Sequence, residues 1–175
     1  FAPANLVTRI AFDAVGNQQS VTDPRGFTTT SYWSPTRHLT GTVFPATPQG
    51  TPALTNFYDS RDWLIKRLDP YLKPTLYTND AAGRLVSQTD PVPRTALFGY
   101  DADGRATATT NAAREVTRQT WDARGKPIQL TDGAQHTSSR GYDPAANQAI
   151  LTNRNGKVWQ FQFDAANRLA NTATP

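Results

Sequence analysis

The chain has 175 residues, a formal net charge of +4, 37 % apolar residues, and neither Cys nor Met. Without Cys, a disulfide framework, a Cys-containing zinc site and a thiol nucleophile are excluded. No apolar run approaches the roughly 18 residues of a membrane span, and the start at Phe1 does not read as a signal peptide. Lys and Arg are dispersed, which suits a solvated face rather than a phosphate footprint, so no nucleic-acid partner is expected.

Thr at 25 positions, 13 Pro and 11 Gly favour strands and turns. A translated chain starts with Met and this one holds none, so it is expected to be a fragment of a larger chain. Any export signal would then lie outside it.

In chain order, the first element is an aromatic-Asp pair, Phe12-Asp13, leading into Ala14-Val15-Gly16-Asn17. Trp33-Ser34 follows after 21 residues, and Tyr58-Asp59 after 25. The Pro-rich stretch 44–56 absorbs the four extra residues as a loop insertion, since loop entropy grows only slowly with length. From there the step is 21 throughout: Asn79-Asp80, Tyr100-Asp101, Trp121-Asp122, Tyr142-Asp143 and Phe163-Asp164. A fixed period of this size marks a repeat architecture.

Each pair opens a tight turn, because Asp bonds its own backbone two residues on and Gly supplies a positive φ. Gly83, Gly104 and Gly125 hold that place, and Asn167 holds it in the last repeat. Ala146 breaks the rule, which predicts a shifted turn there. A short strand follows, as in Gln18–Thr22, Arg84–Thr89, Ile128–Thr131 and Ala149–Thr152. It ends at a second turn, marked by Asp23-Pro24, Asp69-Pro70 and Asp90-Pro91, or by Asn111, Asp132 and Asn153.

The return strands are Thr95–Tyr100, Val116–Trp121 and Val158–Phe163. Within them Trp159, Phe161 and Phe163 are two apart, as are Phe98 and Tyr100, so they share one face. Aligned rows of aromatics predict that this face is buried. The fold class is therefore all-β. About eight 21-residue hairpin repeats form a single array over 1–175. Some sixteen strands exceed what an open sheet tolerates before curling, so a curved, spiralling antiparallel sheet is expected.

An aromatic-Asp pair, then two residues, Gly and Arg or Asn, a short strand, Thr-Asp-Pro and a 21-residue step together resemble the YD-repeat of Rhs (rearrangement hotspot) proteins. Tyr100-Asp101-Ala102-Asp103-Gly104-Arg105 and Asn79-Asp80-Ala81-Ala82-Gly83-Arg84-Leu85 carry the resemblance most closely. Members include bacterial polymorphic toxins, subunits of insecticidal toxin complexes, wall-associated proteins and teneurins.

The resemblance implies a segment of a hollow repeat shell that encloses a C-terminal toxin cargo, exported from the cell. The implied partners are the rest of the shell and that cargo, and an open edge would invite self-association. A repeat-built adhesion surface binding protein or glycan is the alternative. The family's Asp-Pro-x-Gly shape occurs at Asp23-Pro24-Arg25-Gly26, but at an ordinary turn position, so it is read as a turn.

An enzyme is not expected. His38 and His136 fall in turns, and Glu115 is the only Glu. Most Asp recur in the same turn slots, which answers a structural need of the unit. Asp101-x-Asp103-Gly104 has part of a calcium loop but lacks its remaining ligands, so no cofactor or metal is expected. Asp80/Arg84, Asp101/Arg105 and Asp164/Arg168 are expected to pair across their turns.

Overall fold

The computed structural model describes residues 7–175. Two compact units divide the chain, one ending at Pro93 and the other formed by Arg94–Pro175. The first unit holds β1 (Arg9–Phe12), β2 (Gln18–Thr22), β3 (Thr28–Trp33), β4 (Leu39–Val43), β5 (Ala53–Tyr58), β6 (Leu64–Leu68), β7 (Pro74–Asn79) and β8 (Leu85–Thr89). The second holds β9 (Thr95–Tyr100), β10 (Ala106–Thr110), β11 (Val116–Trp121), β12 (Pro127–Thr131), β13 (Thr137–Tyr142), β14 (Gln148–Thr152), β15 (Val158–Phe163) and β16 (Leu169–Ala173). Within each unit every strand pairs antiparallel with its sequence neighbours. The described residues contain no helix. The protein is all-β.

The odd period of 21 has a cause in the pairing. A repeat comprises two five-residue turns, one five-residue strand such as β12 and one six-residue strand such as β13. The ladder after each aromatic-Asp turn contains a bulge. Trp121 pairs with Pro127 and Thr120 with Gln129, so Ile128 has no partner. Gln19, Thr40, Ile65, Val86, Thr107, Ala149 and Ala170 are skipped in the same way. Ladders across the second turn, such as Thr131↔Thr137, run without a slip. One bulge per repeat adds one residue, and bulges raise local twist.

Several sequence expectations need correction. The aromatic rows are not buried: no described residue is, and Phe12 is 60 % exposed. Trp121, Tyr142, Trp159, Phe161 and Phe163 are half-buried. The reason is that, within each unit, strands touch only their sequence neighbours, so no second layer covers either face. The Pro-rich loop is shorter than 44–56. Phe44 N donates to the Pro52 carbonyl at 2.9 Å, and Ala53 to Asn56 already belong to β5, where Thr55 pairs with Gly41. Arg84 is the last turn residue rather than the first of a strand, while β12 and β14 begin one residue early, at Pro127 and Gln148. The turn at Ala146 is not shifted: Ala146 itself takes φ 68°.

Candidate functional site at the repeat joints

The recurrent chemistry sits in the five-residue turn. At Asp122 the backbone N–H donates to the Lys126 carbonyl (2.9 Å), and Gly125 N donates to the Asp122 carbonyl (3.0 Å). Asp122 Oδ1 accepts from Arg124 N (2.9 Å) and Lys126 N (2.8 Å). The same pair of side-chain bonds forms at Asp59, Asp80, Asp101 and Asp164. Second turns use it too, at Asp23, Asp69 and Asp132. Asn111 and Asn153 do the same with an amide oxygen. In the Trp33 repeat Ser34 Oγ stands in, accepting from His38 N at 3.0 Å.

The second carboxylate oxygen is also engaged. Asp80, Asp101 and Asp164 Oδ2 accept from Arg84, Arg105 and Arg168 Nε at 2.7, 2.7 and 2.8 Å. Asn17 and Asn147 supply an amide to Asp13 and Asp143. Arg105 reaches Asp103 as well, at 2.8 Å, so a guanidinium fills the space between the two carboxylates of the calcium-like fragment. His136, the last residue of its turn, has Nδ1 3.6 Å from Asp132.

These bonds hold the turn aspartates below the usual carboxylate range. For Asp122 the N–H of Lys126 is the largest cause, and for Asp80 and Asp164 it is the N–H of Arg84 and Arg168. For Asp13 and Asp143 the amide of Asn17 and of Asn147 leads. A general base works best near the operating pH and must reach a substrate proton. A low-pKa carboxylate already saturated by its own turn is built to cap backbone instead.

At Trp33, Tyr58, Asn79, Trp121 and Tyr142 the residue before the turn joins one repeat to the one preceding it. Trp33 Nε1 donates to the Gln18 carbonyl (3.0 Å), Tyr58 Oη to Leu39 (3.0 Å), Trp121 Nε1 to Ala106 (2.8 Å) and Tyr142 Oη to Pro127 (2.9 Å). Each acceptor is the first residue of a bulged strand, past the last rung of the next ladder; the β12–β13 ladder, for example, stops at Gln129↔Ser139. Asn79 replaces the aromatic yet keeps the bond, donating from Nδ2 to the Leu64 carbonyl at 3.3 Å. Phe12 and Phe163 have no donor. Tyr142→Phe should therefore cost about 0.5–1.5 kcal/mol in urea denaturation, and an unchanged midpoint would dismiss the joint bond.

The fourth turn residue has positive φ at Gly16, Gly26, Gly83, Gly104, Gly125 and Gly156. Arg37, Asp62, Leu72, Arg114, Gln135, Ala146 and Asn167 adopt it without Gly. Sequence reading found this slot in first turns and missed that second turns share it; Gly26 and Gly156 were the available signal. Pro93 stands at the equivalent place after Asp90, where it has no N–H to donate and a fixed negative φ.

The fold and joints define a tandem β-hairpin repeat protein whose recurrent polar residues close turns. Residues 100–138 match the RHS repeat family model. That stretch, an RHS-repeat segment, contains the turns at Tyr100-Asp101 and Trp121-Asp122, and the same turn geometry recurs outside it. No curated protein matches the sequence. Among solved structures, TcdB2-TccC3-Cdc42 aligns with a TM-score of 0.69 and 12 % identity over 94 % of this chain and 10 % of that one. TcdB2-TccC3 aligns at 0.50 and 11 % identity over 94 % and 14 %. The Photorhabdus luminescens Tc holotoxin pore, which also contains TccC3, aligns at 0.48 and 13 % identity over 95 % and 11 %, too low to bear on the fold. The chain thus spans about a tenth of the length of these neighbours.

Proposed function

We propose that the chain is a structural, non-catalytic wall segment of an Rhs-type shell that encloses a C-terminal toxin cargo and is exported with it. In this reading residues 1–175 are one array within a longer chain. The repeat-position residues, from Phe12-Asp13 to Phe163-Asp164, are its joints. The observation that carries the proposal is that the recurrent carboxylates are taken up by their own turns, while side chains such as Trp33, Tyr58, Trp121 and Tyr142 tie one repeat to the last. The likeness in fold to TcdB2-TccC3-Cdc42 and TcdB2-TccC3 supports it.

Limited proteolysis of the native full-length chain tests the proposal. The region beyond the repeats should resist protease while the wall is intact. It should become sensitive when Trp121→Ala and Asp122→Ala loosen one joint. Equal digestion with and without these substitutions would contradict an enclosing wall. Hydrolase or nuclease activity abolished by Asp101→Asn, Asp103→Asn or Glu115→Gln would contradict the non-catalytic part.

A further inference from the structure

Joints that follow the repeat pattern are consumed by their own turns, whereas three departures from it lie together. The last residue of the first turn is Asn, His, Arg or Lys in seven repeats, but Trp63 in the Tyr58 repeat. The residue before it, Gly in four of the other repeats, is Asp62 with φ 61°. In the following repeat Asn79 replaces the aromatic. These three departures line one open cleft of about 440 Å³ together with Tyr58, Tyr77 and Gly83.

The walls are held from outside. The Arg61 guanidinium lies 3.8 Å from the Trp63 ring centroid. On the Gly83 side, an added Cβ would stand 3.0 Å from Trp63 Cε2 and Cζ2. Tyr58 is anchored through its hydroxyl to Leu39, with its ring 5.0 Å from that of His38. Trp63 and Tyr58 are thereby kept from collapsing into the space.

Polar capacity remains at the cleft. Asp62 Oδ1 accepts a hydrogen bond from Thr36 Oγ1 at 3.0 Å and lies 3.8 Å from His38 Nδ1, and the side chain is 45 % exposed; a carboxylate offers about four lone-pair sites. Asn79 uses Nδ2 on Leu64 and retains its side-chain carbonyl.

Charge selects the ligand class. The Trp63 ring already carries the Arg61 guanidinium, which weakens it as a platform for a second cation, and an anion would meet Asp62. A neutral ligand with one apolar face and a rim of hydroxyls meets neither obstacle. We propose that this cleft binds a neutral pyranose sugar, its C–H face against the aromatic lining and its hydroxyls donating to Asp62 and Asn79. Volumes of this size suit small ligands held by apolar walls and a few polar groups. The proposal stands apart from the wall reading, since a wall can exist with or without a ligand.

Saturation-transfer NMR on the whole chain tests it, with glucose, galactose and N-acetylglucosamine as probes and choline and glucuronate as charged controls. At least one neutral sugar should give a saturable signal and neither control should. Tyr77→Ala and Asp62→Ala should each weaken binding about tenfold or more, a loss consistent with one good contact, with circular dichroism confirming an intact sheet. Asp62→Asn, which keeps a carbonyl acceptor in place, should bind better than Asp62→Ala and provides a second folded comparison. Three silent sugars, a saturable choline signal, or binding unchanged in both Tyr77→Ala and Asp62→Ala would overturn the assignment.

Discussion

Replacing Gly83 by Val should destabilise the first unit by about 2–5 kcal/mol. Two penalties combine. Gly83 sits at φ 81°, a region that β-branched residues avoid, and its added Cβ would press to 3.0 Å from the Trp63 ring. Trp63 cannot retreat freely, because Arg61 covers it. Gly16 is the internal control: its φ is 89°, but nothing lies within 4 Å of an added Cβ. Gly16→Val should therefore cost only the backbone share, about 1–2 kcal/mol. In a double-mutant cycle, Trp63→Ala should recover the steric part of Gly83→Val and leave the backbone part. Equal costs for Gly16→Val and Gly83→Val in urea denaturation would show that the Trp63 contact carries no energy.

Acid should unfold the repeats, and the turn aspartates should be the reason. Nine of them, at positions 13, 23, 59, 80, 101, 122, 132, 143 and 164, are held below their ordinary range. A carboxylate with a depressed pKa in the folded state binds fewer protons there than in the unfolded chain. Its stabilising share is therefore complete above the unfolded value, about pH 4, and is lost as pH falls through the folded value. Thermal midpoints should be flat from neutral pH to about 5 and drop steeply below about 4. Protonation also raises a net charge that is already +4, adding repulsion.

Asn111 and Asn153 show how to separate the causes, because each caps its turn with a neutral oxygen. Converting Asp59, Asp122 and Asp132 to Asn should keep the fold and shrink the acid transition. An acid midpoint that stays put after these changes would remove the turn carboxylates from the explanation.

The two predictions rest on features of different legibility. The Asp slot was readable because its reason is local: an Asx side chain bonds N–H groups two and four residues on, and nothing distant is required. The positive-φ slot was half-read, since Gly83, Gly104 and Gly125 announce it while Arg37, Leu72 and Gln135 conceal it. Ala146 was misread for that reason. The Asp–Arg pairings at 80/84, 101/105 and 164/168 were legible, and all three form. The bulges were not legible. Gln19, Val86 and Ile128 share no residue type, and a bulge is a property of two paired strands rather than of one sequence.

The clearest divide falls on the aromatic before each Asp. Sequence by itself determined its place: the period, the turn that follows and the face it shares with residues two away all arise within one five-residue turn and one short strand. Only the tertiary structure decided what it does there. The polar tips of Trp33, Trp121 and Tyr142 meet a carbonyl 15 residues back, and that of Tyr58 meets one 19 back, where the longer loop intervenes. Asn79 can replace it because the bond needs a donor rather than a ring. Its expected burial failed because burial depends on a second layer, and no strand crosses over its neighbours to provide one in either unit.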